Sequence, residues 1–191
     1  MTNSDLRKLR DAAIAHLKPK LKGKNFIIKE NDSRSIIKEI NLCFQNRDDV
    51  LVIQQDIETC KVIDDLFEGK RLESCDFIVL ICKKTNLYVY FCEIKSSNTE
   101  LNRSKAMRQI QSSTYFLDFV FKNYNHCKES KIFDLDNCEV KKVMFYYSAI
   151  SQKNSITPKN NKGDKLHLIP IACDENGIFE IADAYSFFDR F

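Results

Sequence analysis

Apolar and polar residues alternate along the chain with a period that changes from segment to segment, and each change marks an element. Leu6, Leu9, Ala13 and Leu17 recur at helical spacing, so a helix is predicted over 3–18, capped by Asn3 or Ser4 and ending before Pro19. Ile36, Ile37, Ile40 and Phe44 suggest the inward stripe of a second helix over 33–44, with Glu39 on its flank. The character then changes: residues 50–53 and 61–67 are short and strand-like. Residues 77–82 and 87–92 are β-rich runs separated by Lys83-Lys84-Thr85-Asn86, a hairpin pattern. Over 101–124 the helical period returns, with Ile110, Thr114, Leu117, Phe121 and Tyr124 stepping by four, three, four and three. Residues 140–150 read as another strand, and 166–173 with 178–181 around Glu175-Asn176-Gly177 as a closing hairpin.

That order predicts one α/β domain over 1–191, a central mixed β-sheet flanked by helices. Its core covers about 33–150, with the N-terminal helix at 3–18 and C-terminal strands at 165–182. A length of 191 residues allows a substantial core without disulfides or a structural metal. The 43% hydrophobic and 30% charged composition is that of an ordinary soluble protein, and no apolar run is long enough to cross a bilayer. Residues 1–24 interleave charges with apolar residues and do not form a secretory signal, so a cytoplasmic protein without membrane contact is expected.

The eight cysteines include no C-x-x-C pair, and His16, His126 and His167 stand far apart, which argues against a zinc site. Cys82 and Cys92 lie inside apolar runs and read as reduced core thiols. A formal charge of +3 is too small to identify a partner. Lys18, Lys20, Lys22 and Lys24, and then Lys153, Lys159, Lys162 and Lys165, form two basic stretches that read as exposed loops able to touch phosphates or simply to be solvated. Four glycines supply neither a P-loop nor a dinucleotide fingerprint, and no Gly-x-Ser-x-Gly elbow occurs.

The chemistry concentrates in the central hairpin. A turn centred between Lys84 and Thr85 places Asp76 opposite Glu93, and directly opposed like charges are destabilising unless something compensates them. A divalent cation would do so. Lys95, two residues beyond Glu93, falls on the same face. Both faces of the hairpin are otherwise apolar, the signature of strands buried on two sides, and ionised groups at its mouth are costly unless paired, metal-bound or solvated. Acid-x-Lys triplets also occur at Glu68/Lys70, Glu129/Lys131 and Glu139/Lys141, so the triplet alone says little. The apolar strand before Glu93 and the acid across the turn distinguish this one.

Asp76, Glu93 and Lys95, followed by Lys105-Ala106-Met107-Arg108-Gln109-Ile110, resemble the PD-(D/E)XK nuclease superfamily, in particular its small prokaryotic members. The matching stretch is 71–114, less than a quarter of the chain. Cys75 stands where the nominal motif has proline, Arg71 is separated from it by three residues, and Ser96-Ser97 follows Lys95 where glycine is frequent. The resemblance implies a restriction-endonuclease-like core and hydrolysis of phosphodiester bonds in nucleic acid, DNA rather than RNA, in defence or repair. It implies Mg²⁺ or Mn²⁺ held by Asp76, Glu93 and the carbonyl of Ile94, with Lys95 orienting water and offsetting transition-state charge. Gln109 is the glutamine brought by the helix, preferred over Gln111 because it shares a stripe with Ala106, Ser113 and Phe116. A further acid from the first core helix is assigned to Glu39, with Glu30 behind it. The competing reading is an inactive nuclease-fold subunit that binds nucleic acid or a partner protein, and a homodimer or a place in a larger complex is compatible with either.

Overall fold

The computed structural model describes residues 1–13, 17–54, 73–149 and 165–191, and these form two mixed β-sheets and a few helices in an α/β arrangement. Helix α1 (Asn3–Ala12) begins at the expected Asn3, but neither Asn3 nor Ser4 caps it. Thr2 is its N-cap, and the Thr2 and Asp5 side chains form a capping box. It also ends sooner, because Ala13 turns extended after its N–H closes on the carbonyls of Leu9 and Arg10. Leu6 and Leu9 are its buried residues.

Strands β1 (Lys20–Lys22), β2 (Asn25–Lys29), β3 (Glu39–Cys43) and β9 (Ile178–Ile181) make a four-stranded sheet in the order β1-β2-β3-β9. The first basic stretch is therefore partly the exposed edge strand β1 and not a loop. The predicted helix over 33–44 is absent: residues 30–38 form a turn-rich connection and β3 follows. Ile40, Leu42 and Phe44 are buried at a period of two, while Ile36 is exposed. An apolar run this short fits either period, and pairing with β2 on one side and β9 on the other selects the strand.

The second sheet has five strands in the order β4-β5-β6-β7-β8: β4 (Val50–Gln54), β5 (Phe77–Lys83), β6 (Asn86–Lys95), β7 (Glu139–Tyr147) and β8 (Leu166–Ile171). Strand β6 is antiparallel to β5 and parallel to β7. Between β6 and β7 runs α2 (Glu100–Cys127), N-capped by Thr99, which buries Ile110, Leu117 and Phe121 as its apolar stripe requires. A 3-10 turn (Leu135–Asn137) leads into β7, and a short C-terminal helix, α3 (Ala184–Phe188), was not foreseen.

The expected closing hairpin does not form. Its turn is present, with Gly177 at φ +77 and its N–H donating to the Asp174 carbonyl at 3.0 Å, but β8 pairs with β7 while β9 crosses to β3. The Gly177 carbonyl instead accepts from Lys38 N–H at 2.8 Å, and a Cβ at 177 would lie 2.5 Å from the Ile36 carbonyl oxygen. The backbone approach that fastens the 30–38 connection needs glycine there.

The two sheets face each other. Phe26, Ile28 and Leu42 of one pack with Val79, Tyr90 and Phe145 of the other, and Phe188 joins them. The opposite face of the five-stranded sheet presents Ile78, Leu80, Val89 and Phe91 to α1 and α2. Strands β5 and β6 thus lie in the middle layer and are covered on both faces, as their continuous apolar runs suggested. Cys82 and Cys92 are buried in it as free thiols. Among the described residues no helix is long and apolar enough to cross a membrane. The strand expected at 61–67 and most of the second basic stretch lie outside the described residues.

Candidate active site

The β5–β6 ladder has the register expected from a turn centred between Lys84 and Thr85: Lys83 pairs with Asn86 and Phe77 with Cys92. One step further, Asp76 faces Glu93. Beyond the ladder the Asp76 carboxylate takes over as acceptor, with Ile94 N–H donating to its Oδ2 at 2.6 Å. Glu93 is 1% exposed although it carries a carboxyl group. Lys95 Nζ donates to Glu93 Oε1 and, at 2.7 Å, to Oε1 of Gln109. The Gln109 amide completes the chain by donating from Nε2 to the Ser74 carbonyl at 3.1 Å. Asp76, Glu93, Lys95 and Gln109 are therefore brought together, and Gln111, the alternative glutamine, is exposed.

These residues form one wall of a cleft of about 570 Å³ at the carboxyl end of β6. Strand β6 is where the sheet changes from antiparallel pairing with β5 to parallel pairing with β7. The other wall comes from the four-stranded sheet: Lys29 at the end of β2, then Glu30 and Arg34. Gln54 Nε2 donates to the Lys29 carbonyl at 2.8 Å and ties the walls together. Asp32 Oδ1 accepts from Arg34 N–H at 2.9 Å and shapes the rim. Asn102 and Lys105 of α2 close the third side.

Glu39 does not line the cleft. It sits on β3 across from Lys29, because the helix expected to carry it is a strand. Glu30, the second choice, does reach the cleft. Lys29, Gln54, Asn102 and Lys105 were not singled out for the site. They come from three elements, β2, β4 and α2, that only the packing of two sheets brings together.

Burial dominates the electrostatics. It raises Glu93 well above the usual carboxylate range, with repulsion from Asp76 adding to it and Lys95 opposing it. Asp76 is pushed up to about 7, first by burial and then by Glu30, against the Ile94 N–H and Lys95. The two acids carry negative charge at a cost in free energy, which a cation would relieve. Glu93 Oε2 is buried and without a hydrogen-bond partner among the described residues. That atom, Asp76 and the Ile94 carbonyl are hard oxygen donors of the kind Mg²⁺ and Mn²⁺ take. Among the described residues no group of three or more His, Cys, Asp and Glu side chains is poised around one point. The donor set fits a cation that keeps several waters and takes further ligands from a bound phosphate.

No family model matches the chain, and no curated protein or solved structure matches it significantly. The site must be read from its own residues. Cys75, where the nominal motif has proline, shows a local reason for its identity: its N–H donates to Ser113 Oγ at 2.8 Å, in a buried contact that pins the start of β5 to α2. Proline has no such donor.

Proposed function

We propose that the cleft hydrolyses phosphodiester bonds in nucleic acid with Mg²⁺ or Mn²⁺ as cofactor, as the catalytic centre of a cytoplasmic, restriction-endonuclease-like protein acting on DNA in preference to RNA. The observation that carries this reading is the convergence of Asp76, the buried Glu93 with its unpartnered Oε2, and the Lys95–Gln109 pair on one wall of an open cleft. Asp76, Glu93 and the Ile94 carbonyl would hold the cation. When bound, it would polarise a phosphate oxygen and acidify water.

The chain's own groups have separable tasks. Lys95, held from one side by Glu93 and from the other by Gln109, presents positive charge where negative charge develops as a phosphate is attacked. Gln109 fixes that position through its own bond to Ser74. Lys29, Arg34 and Lys105 on the rim attract and place the phosphates on either side of the reacting one.

The decisive experiment incubates the protein with panels of DNA and RNA in Mg²⁺, Mn²⁺ or chelator, beside Lys95→Ala. Because Lys95 acts on the transition state, the variant keeps its fold and most of its cation affinity yet loses cleavage by roughly a hundredfold or more. Cation-dependent cleavage that survives the substitution would put the active centre elsewhere. Binding without cleavage under every condition would favour an inactive subunit.

A further inference from the structure

Helix α2 enters the cleft at its N-terminal end through Asn102 and Lys105, and the same helix carries an uncovered face away from it. Leu101, Lys105, Arg108, Ser112, Tyr115 and Phe119 step by four, three, four, three and four residues, so they form one stripe along the helix. This is not the buried stripe: Leu101 is 77% exposed, Tyr115 68% and Phe119 58%. Two aromatic rings four residues apart on a solvent face contribute nothing to the core. The cations on the stripe are Lys105 and Arg108. The acids on the row beside it are Glu100 and Asp118, and Asp118 is held by Lys122 at 2.6 Å. The stripe is thus basic where it leaves the cleft and aromatic about 15–21 Å further along, at a rise of about 1.5 Å per residue.

We propose that this stripe binds an unpaired nucleic-acid strand running into the cleft, with Lys105 and Arg108 on its phosphates and Tyr115 and Phe119 stacked on its bases. The inference rests on the nuclease reading of the cleft and narrows its substrate to single strands or duplexes with a frayed or overhanging strand. The charge of the stripe calls for an anionic occupant, and its rings call for one that offers flat apolar faces. An unpaired strand offers both along its length, whereas a duplex turns its base faces inward and leaves phosphates for cations but nothing for exposed rings to stack on. Continuity through Lys105 joins this surface to the reacting centre, so the two form one path.

The test measures fluorescence anisotropy of labelled oligo(dT) of about 15 nucleotides, a length within the range of single-strand sites, and of a duplex of equal length. Both are measured in chelator so that nothing is cut. Tyr115→Ala/Phe119→Ala should weaken oligo(dT) binding by about 30-fold or more, the scale of two lost base stacks, while changing duplex binding less than about twofold. Tyr115→Trp/Phe119→Trp should retain binding, and Arg108→Ala should lower the salt dependence by about one phosphate contact. The substituted residues are exposed, so the variants should melt as the parent does. Wild-type affinity in the double alanine variant, or equal loss on strand and duplex, overturns the proposal. So does a self-associating or vesicle-binding protein whose association the same variant abolishes without affecting oligo(dT). Hydrolysis of bis(p-nitrophenyl) phosphate, measured beside Lys95→Ala, reads the cleft alone. Ring-dependent oligo(dT) binding by a protein that cuts nothing would sink the nuclease reading and leave this one standing. Hydrolysis with ring-independent binding would do the reverse.

Discussion

Lys95 at the end of β6 and Gln109 on α2 are joined by a 2.7 Å hydrogen bond, so the Lys95 ammonium is oriented by a neutral side chain as well as by its acidic neighbour Glu93. An amide can do this without changing the charge of the site. Glu93 alone would draw Lys95 toward the carboxylate, and the Gln109 bond holds it out over the cleft.

Gln109→Ala should therefore act on turnover more than on binding. With Lys95 free to collapse onto Glu93, kcat should fall by about tenfold, the scale of one misplaced contact of about 1.4 kcal/mol. KM and Mn²⁺ affinity should stay within about twofold. Gln109→Glu tests the same idea from the other side: it keeps an acceptor for Lys95 but adds charge, and should leave Lys95 in place while strengthening cation binding. Steady-state kinetics with titration calorimetry separates the two effects. Equal loss in kcat and cation affinity would show that Gln109 does more than position Lys95.

The raised acids make a statement about stability. Asp76 titrates near 3.8 when unfolded and near 7 when folded. The folded state therefore binds more protons in that window, and stability falls as pH rises through it. Below about pH 4 the acid is neutral in both states and there is no penalty. In chelator, thermal melts of the wild type should lose stability between about pH 4 and pH 7. Asp76→Asn, which keeps an acceptor for Ile94 N–H, should flatten that slope and melt higher at pH 7.5. Excess Mn²⁺ should raise the wild-type melting temperature at pH 7.5 but not that of the variant, since a ligand raises the transition only by binding the folded state in preference to the unfolded one. A wild type more stable at pH 7.5 than at pH 5 in chelator would contradict this account.

How much of this was legible in the sequence depended on range. The β5–β6 register followed from a short turn between two long apolar runs, and with it came the opposition of Asp76 and Glu93 and the side on which Lys95 stands. The period of α2 favoured Gln109 over Gln111 as the glutamine that the resemblance implies. What was not legible required partners distant in sequence. The run from Ile36 to Phe44 satisfies a helix and a strand equally, and only β2 and β9 on its two sides make it β3. The turn at Gly177 is local and legible from Glu175-Asn176-Gly177, but whether β9 joins β8 or crosses to β3 depends on which edge lies free. Glu39 lies outside the cleft for the same reason, because its expected position depended on a helix that tertiary pairing turned into a strand.

The Cys75 amide and the Ser113 hydroxyl should behave as a unit. Removing the acceptor with Ser113→Ala leaves a buried N–H unpaired, which costs about 1–3 kcal/mol. For a chain of this size that is a fall of about 2–4 °C in melting temperature per kcal/mol. Cys75→Pro removes the donor and should cost a similar amount. If the bond is the shared cause, Ser113→Ala should be worth less in the proline background than in the wild type, a coupling that a double-mutant cycle by chemical denaturation reads directly. Additive effects would mean that the two positions contribute separately.

Glu30 and Glu39 can be told apart by charge alone, because only Glu30 faces the cleft. Glu30 acts on the cation in two opposing ways: its repulsion raises Asp76 and so favours the proton that competes with the metal, while its field attracts the metal itself. At pH 8 the first effect is small, since an acid titrating near 7 is mostly ionised, and the second remains. Glu30→Gln should then weaken Mn²⁺ binding by roughly fivefold, corresponding to about 1 kcal/mol of attraction in a solvated cleft. At pH 6 the loss should shrink, because the same substitution lets Asp76 ionise more readily. Glu39→Gln, on a strand outside the cleft, should leave affinity within about twofold at both pH values. Calorimetry at the two pH values checks both the ranking of the acids and the sign of the pH effect, and a larger effect from Glu39 than from Glu30 would overturn the assignment.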